Sequence, residues 1–359
     1  MPDTPQSLPP DWLPAALNQG HTYRDRVRPE DLPATAVEAP LLVSAFYAAR
    51  YRHSDQGVWS ERLLAGEIWR NGQQLRADAP LDAGDRLQWH RPPWQEPAVP
   101  VLAQAAVVFD DGDLLVLNKP SGLPVLPAGG FLEHTLLAQL ERLWPGARPV
   151  HRLGRFTSGL LVCARRPATR AWLSALLRDS TGGGAGVPAD RCRKLYRALT
   201  APLPPDWSVA ESRPLTTAIG RRPHPLLGQI WCAVAADEPG ALAASSQLTL
   251  LERSPEACLV EVAIASGRPH QIRIHTAAMG APLLGDPLYL PGGRACLKVV
   301  PGAGGYHLHA HRLRLLMAAG EPLALEAPLP PCLNAMDGAA APITPARTRS
   351  GVRSKTGPC

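Results

Sequence analysis

A chain of 359 residues with 45% apolar side chains can bury a sizeable core, and its length suits one large domain plus a small accessory one. Its 37 Lys and Arg exceed 31 Asp and Glu, a formal charge of +6 that favours an anionic partner. The seven scattered cysteines form no Cys-x-x-Cys pair, which argues against a zinc ribbon or a thioredoxin-like site, and no apolar run nears the ~18 residues of a membrane span.

Residues 1–40 are Pro-rich and polar and read as an extended arm, with Tyr23-Arg24-Asp25-Arg26 its one dense feature. From Leu41 the texture changes. Leu42, Phe46, Ala49 and Tyr51 fall near helical spacing, and Val58, Leu63 and Leu64 predict a second short helix. Asn71-Gly72 is a strong hairpin turn, with Ile68 and Leu75 flanking a small sheet. The prolines of 92–104 can continue neither a helix nor a central strand, so this stretch reads as a linker. The large domain is expected over 105–330. It opens with short strands at 107–109 and 114–117 around the acidic turn of Asp110, Asp111 and Asp113. A helix over 136–143 follows, then a buried strand at 160–164 and a Gly-rich loop at 180–190. Further strands are expected at 195–200, 247–251 and 258–265, with a helix at 271–279. Residues 331–359 have little to bury and read as a basic, disordered tail.

Four segments carry chemistry. Lys119-Pro120-Ser121-Gly122-Leu123 ends the second strand, and residues 151–159 read His-Arg-Leu-Gly-Arg-Phe-Thr-Ser-Gly. Lys194-Leu195-Tyr196-Arg197-Ala198 comes third. The fourth is Gly267-Arg268-Pro269-His270-Gln271-Ile272-Arg273-Ile274-His275, followed by Gly285-Asp286-Pro287-Leu288-Tyr289. Arg152, Arg155, Arg165, Arg166 and Arg170 cluster in and after the second segment, a density that suits nucleic acid.

In this order and at these separations, the four segments resemble the RluA-type RNA pseudouridine synthases, over roughly residues 105–315. The resemblance implies an α+β fold: a mixed, largely antiparallel sheet with flanking helices. Residues 41–91, with two short helices, an Asn-Gly turn and a late Ala83-Gly84-Asp85, resemble the small alpha-L RNA-binding domain of many such enzymes; any small α+β module fits them equally well. The implied reaction turns uridine into pseudouridine in structured rRNA or tRNA. The N1–C1′ bond is cut, the uracil turns, and it rejoins through C5 with the target base flipped out of its stack. On this resemblance Arg152 is the wedge that fills the gap, Tyr196 stacks on the flipped base, Arg273 pairs with the catalytic aspartate, and Leu153 shapes the pocket. His151, Arg155, Lys119, Lys194, Arg268 and His270 are expected to face the RNA. No metal or organic cofactor is implied, because the isomerisation changes neither redox state nor composition. A monomer in the cytoplasm, away from membranes, completes the expectation.

Position 154 departs from the pattern. Where the family carries its aspartate, this chain has Gly154, which can act neither as nucleophile nor as base. The change also removes the partner of Arg273, so another carboxylate, a water or an RNA phosphate is expected to compensate. Two alternatives follow. One is an RNA-binding homologue that has lost the reaction and serves RNA folding or ribosome assembly. The other is a metal-dependent enzyme using His307, His309 and His311, which alternate along a strand, although no Asp or Glu lies within that run. A hydrolase built on Ser158 and His151 lacks Gly-x-Ser-x-Gly, and the 180–190 glycines lack the Gly-Lys-Ser/Thr of a phosphate loop.

Overall fold

The four motif segments converge because of the strand order in one ten-stranded sheet. The computed structural model describes residues 11–33, 40–51, 54–179, 191–264, 267–300, 302–318 and 320–334. Along the main path the strands run Ser212–Leu215, Ser246–Arg253, Cys258–Ile264, Cys192–Thr200, Leu308–Leu316, Thr157–Ala164, Leu114–Lys119 and Val107–Asp110. Arg148–Pro149 and Pro322–Glu326 pair at the side. The pairings are antiparallel with one exception: Thr157–Ala164 runs parallel to Leu308–Leu316, with Thr157 opposite Leu308 and Gly159 opposite Ala310. A parallel step sets the segments that enter both strands next to each other, so the loop before Thr157 meets the segment before Leu308 at one end of the sheet.

The central strands are apolar without alternation: Leu114, Leu115, Val116 and Leu117 are all buried, as both faces of the sheet are covered. The helix Leu136–Leu143 falls where its periodicity placed it and is capped by Thr135, whose hydroxyl accepts from Ala138 N at 3.2 Å. The expected strands are present and mostly longer, and the late helix spans Gln271–Ala278. A helix and a hairpin are among the additional elements. The helix Pro167–Asp179 starts at a proline and buries Leu173, Leu176 and Leu177 at helical spacing. The hairpin of Ala218–His224 with Gly228–Val234 packs Ile219 and Ile230 against Ile274 and Ala277 of the late helix. The 180–190 loop and Ala265 lie outside the described residues. Among the described residues no helix is long and apolar enough to cross a membrane.

The arm and linker need correction. His21–Arg26 is not free chain: it pairs along its whole length with Arg86–Arg91, and Tyr23 stacks on Trp89 at 4.8 Å. The small unit therefore starts before residue 41. Its sheet comprises His21–Arg26, Arg86–Arg91, Ile68–Arg70 and Gln73–Gln74, and the helices Val43–Arg50 and Gln56–Leu64 complete a core of Phe46, Tyr47, Trp59, Leu63, Leu87 and Trp89. The linker is strapped down, because Gln95–Glu96 pairs with Ala16–Leu17 and Val99–Pro100 with Trp12–Leu13. At the other end Leu333 is buried with Leu199, Ala257 and Leu259, so the large domain runs past 330; the tail from 335 lies outside the described residues.

Glu96 pins this strap. Its fully buried carboxylate accepts from Asn18 Nδ2 (2.6 Å), Leu132 N (2.9 Å), Glu133 N (3.1 Å) and His134 N (2.8 Å). Burial alone would raise its pKa, but these donors outweigh it and hold the carboxyl below its ordinary value. Glu96→Ala should cost about 3 kcal/mol in urea unfolding at pH 7, since the buried Asn18 amide and three part-buried backbone donors lose their acceptor. A carboxylate with a depressed folded pKa stabilises above the unfolded value. Measured against Glu96→Gln, the wild-type advantage should be full above pH 4.5 and fade as pH falls through the folded pKa.

Candidate active site

The parallel step opens onto a cleft of about 540 Å³ lined by His151, Arg152, Gly154, Lys194, Tyr196, Arg268, His270 and Arg273. Of the sequence-assigned site residues, only Lys119 and Arg155 stand outside it. Leu153 and Tyr306 also line it. Arg152 is exposed, and among the described residues no hydrogen bond or ion pair holds its guanidinium. Tyr196 sits beside a register shift: it faces Ala310, while its neighbour Leu195 faces Arg312. Such a bulge re-aims a side chain, here one that lines the cleft. Burial raises the Tyr196 phenol pKa, which keeps it protonated at neutral pH.

Arg273 lies in the buried helix Gln271–Ala278 and has a protein partner. Its Nε and Nη2 donate to the Asp286 carboxylate at 2.7 and 2.8 Å, a bidentate pair. The guanidinium also lies over two rings, Tyr306 at 4.3 Å and Tyr289 at 4.8 Å. Burial works against its charge, but the Asp286 carboxylate prevails and raises the guanidinium pKa. Of the three compensations expected for Arg273, another carboxylate is the one present. In the sequence Asp286 stood only as part of the Gly285–Tyr289 segment, and what makes it the partner is spatial. The turn at 286 folds back so that its carboxylate accepts both from Arg273 and from the backbone of Leu288 (3.0 Å) and Tyr289 (3.2 Å). Asp286 is consequently fully engaged and buried, a counter-charge and not a free nucleophile.

Gly154 sits on the cleft wall in a turn closed by Thr157 N donating to Gly154 O at 3.0 Å. A Cβ at this position would fall inside 3.0 Å of Tyr306 Oη and 3.2 Å from Thr157 Oγ1. Tyr306 was not singled out for the pocket. Its only sequence signal was its place two residues ahead of the Leu308 strand, and that meant nothing until the parallel pairing was known.

Comparison with known proteins decides the family. A family model described as RNA pseudouridylate synthase matches residues 113–278. A Synechocystis protein named as an uncharacterized RNA pseudouridine synthase is 43% identical over 291 residues, covering 80% of this chain and 93% of its own length. RNA pseudouridine synthase 5 of Arabidopsis thaliana is 35% identical over 377 residues, covering 92% of this chain and 98% of its own. Ribosomal large subunit pseudouridine synthase C of Vibrio cholerae is 31% identical over 304 residues, with 80% and 89% covered. This chain belongs to the RNA pseudouridine synthase family. It is an RNA uridine isomerase by membership, and the reading as a binding protein without the reaction is not favoured.

Within that family frame, several basic residues hold the fold. Lys119 is fully buried, and Nζ donates to the carbonyls of Pro120 (2.8 Å), Leu123 (2.7 Å) and Arg155 (3.0 Å). Three acceptors match the three donors of an ammonium. Burial, aided by the Arg155 guanidinium, pushes its pKa down to about 7. It cannot reach RNA, which corrects its assignment. Arg155 is likewise a clamp, donating from Nε to Gly122 O (2.9 Å) and from Nη1 to Gly302 O (3.2 Å) while lying over Phe131 and Phe156. His151 accepts from Val162 N at 3.0 Å, and burial drives its pKa to about 3, so it is a neutral ring. Lys194 reaches Leu177 O at 3.2 Å, and Arg268 Nε reaches Ala243 O at 3.0 Å. His270 takes a left-handed conformation at φ 56° and shares a hydrogen bond with Tyr289 Oη at 2.8 Å.

The alternating histidines do not converge on a common point. His307 Nδ1 lies 3.5 Å from Cys332 Sγ, His309 Nδ1 bonds Ser158 Oγ at 2.9 Å, and His311 Nδ1 bonds Ala327 O at 3.0 Å. Among the described residues no group of three metal-ligating side chains is spaced to hold an ion.

Two substitutions test these assignments. Asp286→Ala strands a buried guanidinium and should cost about 3–5 kcal/mol in chemical denaturation, while the added Arg273→Met should recover most of that loss. Lys119→Met should cost about 3 kcal/mol in the same assay, because the carbonyls of Pro120 and Leu123 lose the donor that Lys119 supplies.

Proposed function

We propose that this chain isomerises uridine in structured ribosomal RNA, taking the target nucleotide flipped out of its stack into the 151–154 cleft. One observation carries the reading: an exposed Arg152, unpaired among the described residues, shares a cleft with the Tyr196 ring and the charged Arg273. A cavity of about 540 Å³ is in the range that takes a small ligand, which suits one nucleotide. Arg152 is the wedge that replaces the flipped base in its stack, Tyr196 gives the base a stacking face, and Arg273 supplies positive potential at the cleft wall. Ribosomal RNA is favoured over tRNA by the likeness to a synthase named for the large ribosomal subunit. The unit built from His21–Arg26 and residues 43–91 serves as a second RNA contact in the manner of an alpha-L domain. The cleft is completed by a single chain, which suits a monomer, and the dispersed free cysteines suit a reducing cytoplasm.

Mapping pseudouridine in ribosomal and transfer RNA, with and without the gene, tests this. Loss of a defined site in large-subunit RNA is expected. Loss confined to tRNA would move the substrate, and an unchanged profile in both would reject the function. Arg152→Ala should leave folding intact, since the side chain is exposed, and should lower kcat/KM about 100-fold through the unstacking cost it no longer offsets.

A further inference from the structure

We propose that the Tyr306 hydroxyl is the polar group this cleft presents to the flipped nucleotide where a side chain at position 154 would otherwise stand. Gly154 is a glycine in order to admit it. The proposal rests on the RNA isomerase reading and adds a substrate-contacting residue to it.

The case for compensation is steric. Gly154 lies outside the left-handed backbone region, so its conformation does not by itself demand glycine. The severe demand comes from one atom. A Cβ would fall inside 3.0 Å of Tyr306 Oη, whereas the next ring atom, Cζ, stands at 3.6 Å, an ordinary van der Waals contact. Removing that oxygen would leave only the 3.2 Å contact with Thr157 Oγ1, which a small shift of that hydroxyl relieves.

The ring cannot easily yield. Its face lies under the Arg273 guanidinium at 4.3 Å, and Arg273 is locked by Asp286. Phe156 meets it edge-on with centroids 6.0 Å apart. Behind it, a Cβ on Gly285 would press within 3.0 Å of Gly305 O, so the segment leading into Tyr306 is seated against another loop. Tyr306 is therefore a fixed wall of the cleft, held by the same ion pair that gives Arg273 its counter-charge.

The oxygen has capacity to spare. Its hydrogen bond to Thr157 Oγ1 is long, at 3.4 Å, and a phenol both donates and accepts. Tyr306 lines the same cleft as Arg152, Tyr196 and Arg273, and its Oη stands next to the Gly154 wall of it. A rigid hydroxyl there can bond a nucleotide and hold it in the reacting geometry, which the loop has no side chain at 154 to do.

Purified wild type, Tyr306→Phe, Gly154→Ala and the double variant test the proposal on the RNA identified by the mapping. Tyr306→Phe keeps the ring and its packing, so its melting temperature should match wild type. Its single-turnover rate should fall about 100-fold with RNA Kd changed less than about threefold, the signature of a contact used in the reaction and not in general binding. Gly154→Ala should lower the melting temperature by about 3 °C or more with tyrosine at 306, and by less than about 1 °C with phenylalanine there. A Tyr306→Phe rate within about threefold of wild type overturns the contact role. An equal thermal penalty for Gly154→Ala in both backgrounds overturns the compensation. If wild type makes no pseudouridine, the isomerase reading fails and the contact role with it, while the thermal arm still decides whether 154 and 306 are coupled.

Discussion

The ion pair between Arg273 and Asp286 supports most of the cleft. An arginine 8% exposed needs a counter-charge, and a bidentate carboxylate at 2.7 and 2.8 Å supplies one inside the protein. From this pair the order spreads outward. Asp286 ties the helix Gln271–Ala278 to the turn at 286–289, Arg273 fixes the faces of Tyr306 and Tyr289, and Tyr289 in turn holds His270. Such a pair contributes little net stability after desolvation. Its contribution is to specify one arrangement, because each alternative leaves a buried charge alone.

Sheet topology brings the parts to that pair. A largely antiparallel sheet with a single parallel junction places two incoming loops side by side, the 151–156 loop on one strand and the 302–307 segment on the other. The bulge at Leu195/Tyr196 then adjusts the neighbouring strand along the same edge of the cleft. The site is thus assembled from segments about 150 residues apart, as the 3.4 Å contact of Thr157 with Tyr306 illustrates.

The basic composition divides into two populations with different physics. Lys119, Arg155 and Arg268 spend donors on backbone carbonyls, and Arg165 forms a bidentate pair with Asp110 at 2.7 and 2.8 Å. These cations hold loops in place. Arg152 is exposed and has no partner among the described residues, and so is available to an anionic polymer. Net charge does not distinguish the two groups, because it counts each cation once, whether it faces a carbonyl or solvent.

The local elements and the family were legible in the chain itself. Helical spacing placed 136–143, Asn71-Gly72 marked its turn, and four ordered motifs named the reaction class, since each depends on neighbours within a few residues. The partner of Arg273, the burial of Lys119, the pairing of His21–Arg26 and the meeting of Tyr306 with Gly154 were decided only by tertiary structure. Each joins residues separated by a turn of chain or by most of a domain. Periodicity and motif spacing report which face a side chain takes along its own element; what stands opposite that face depends on strand order and register, which arise only when the sheet is assembled.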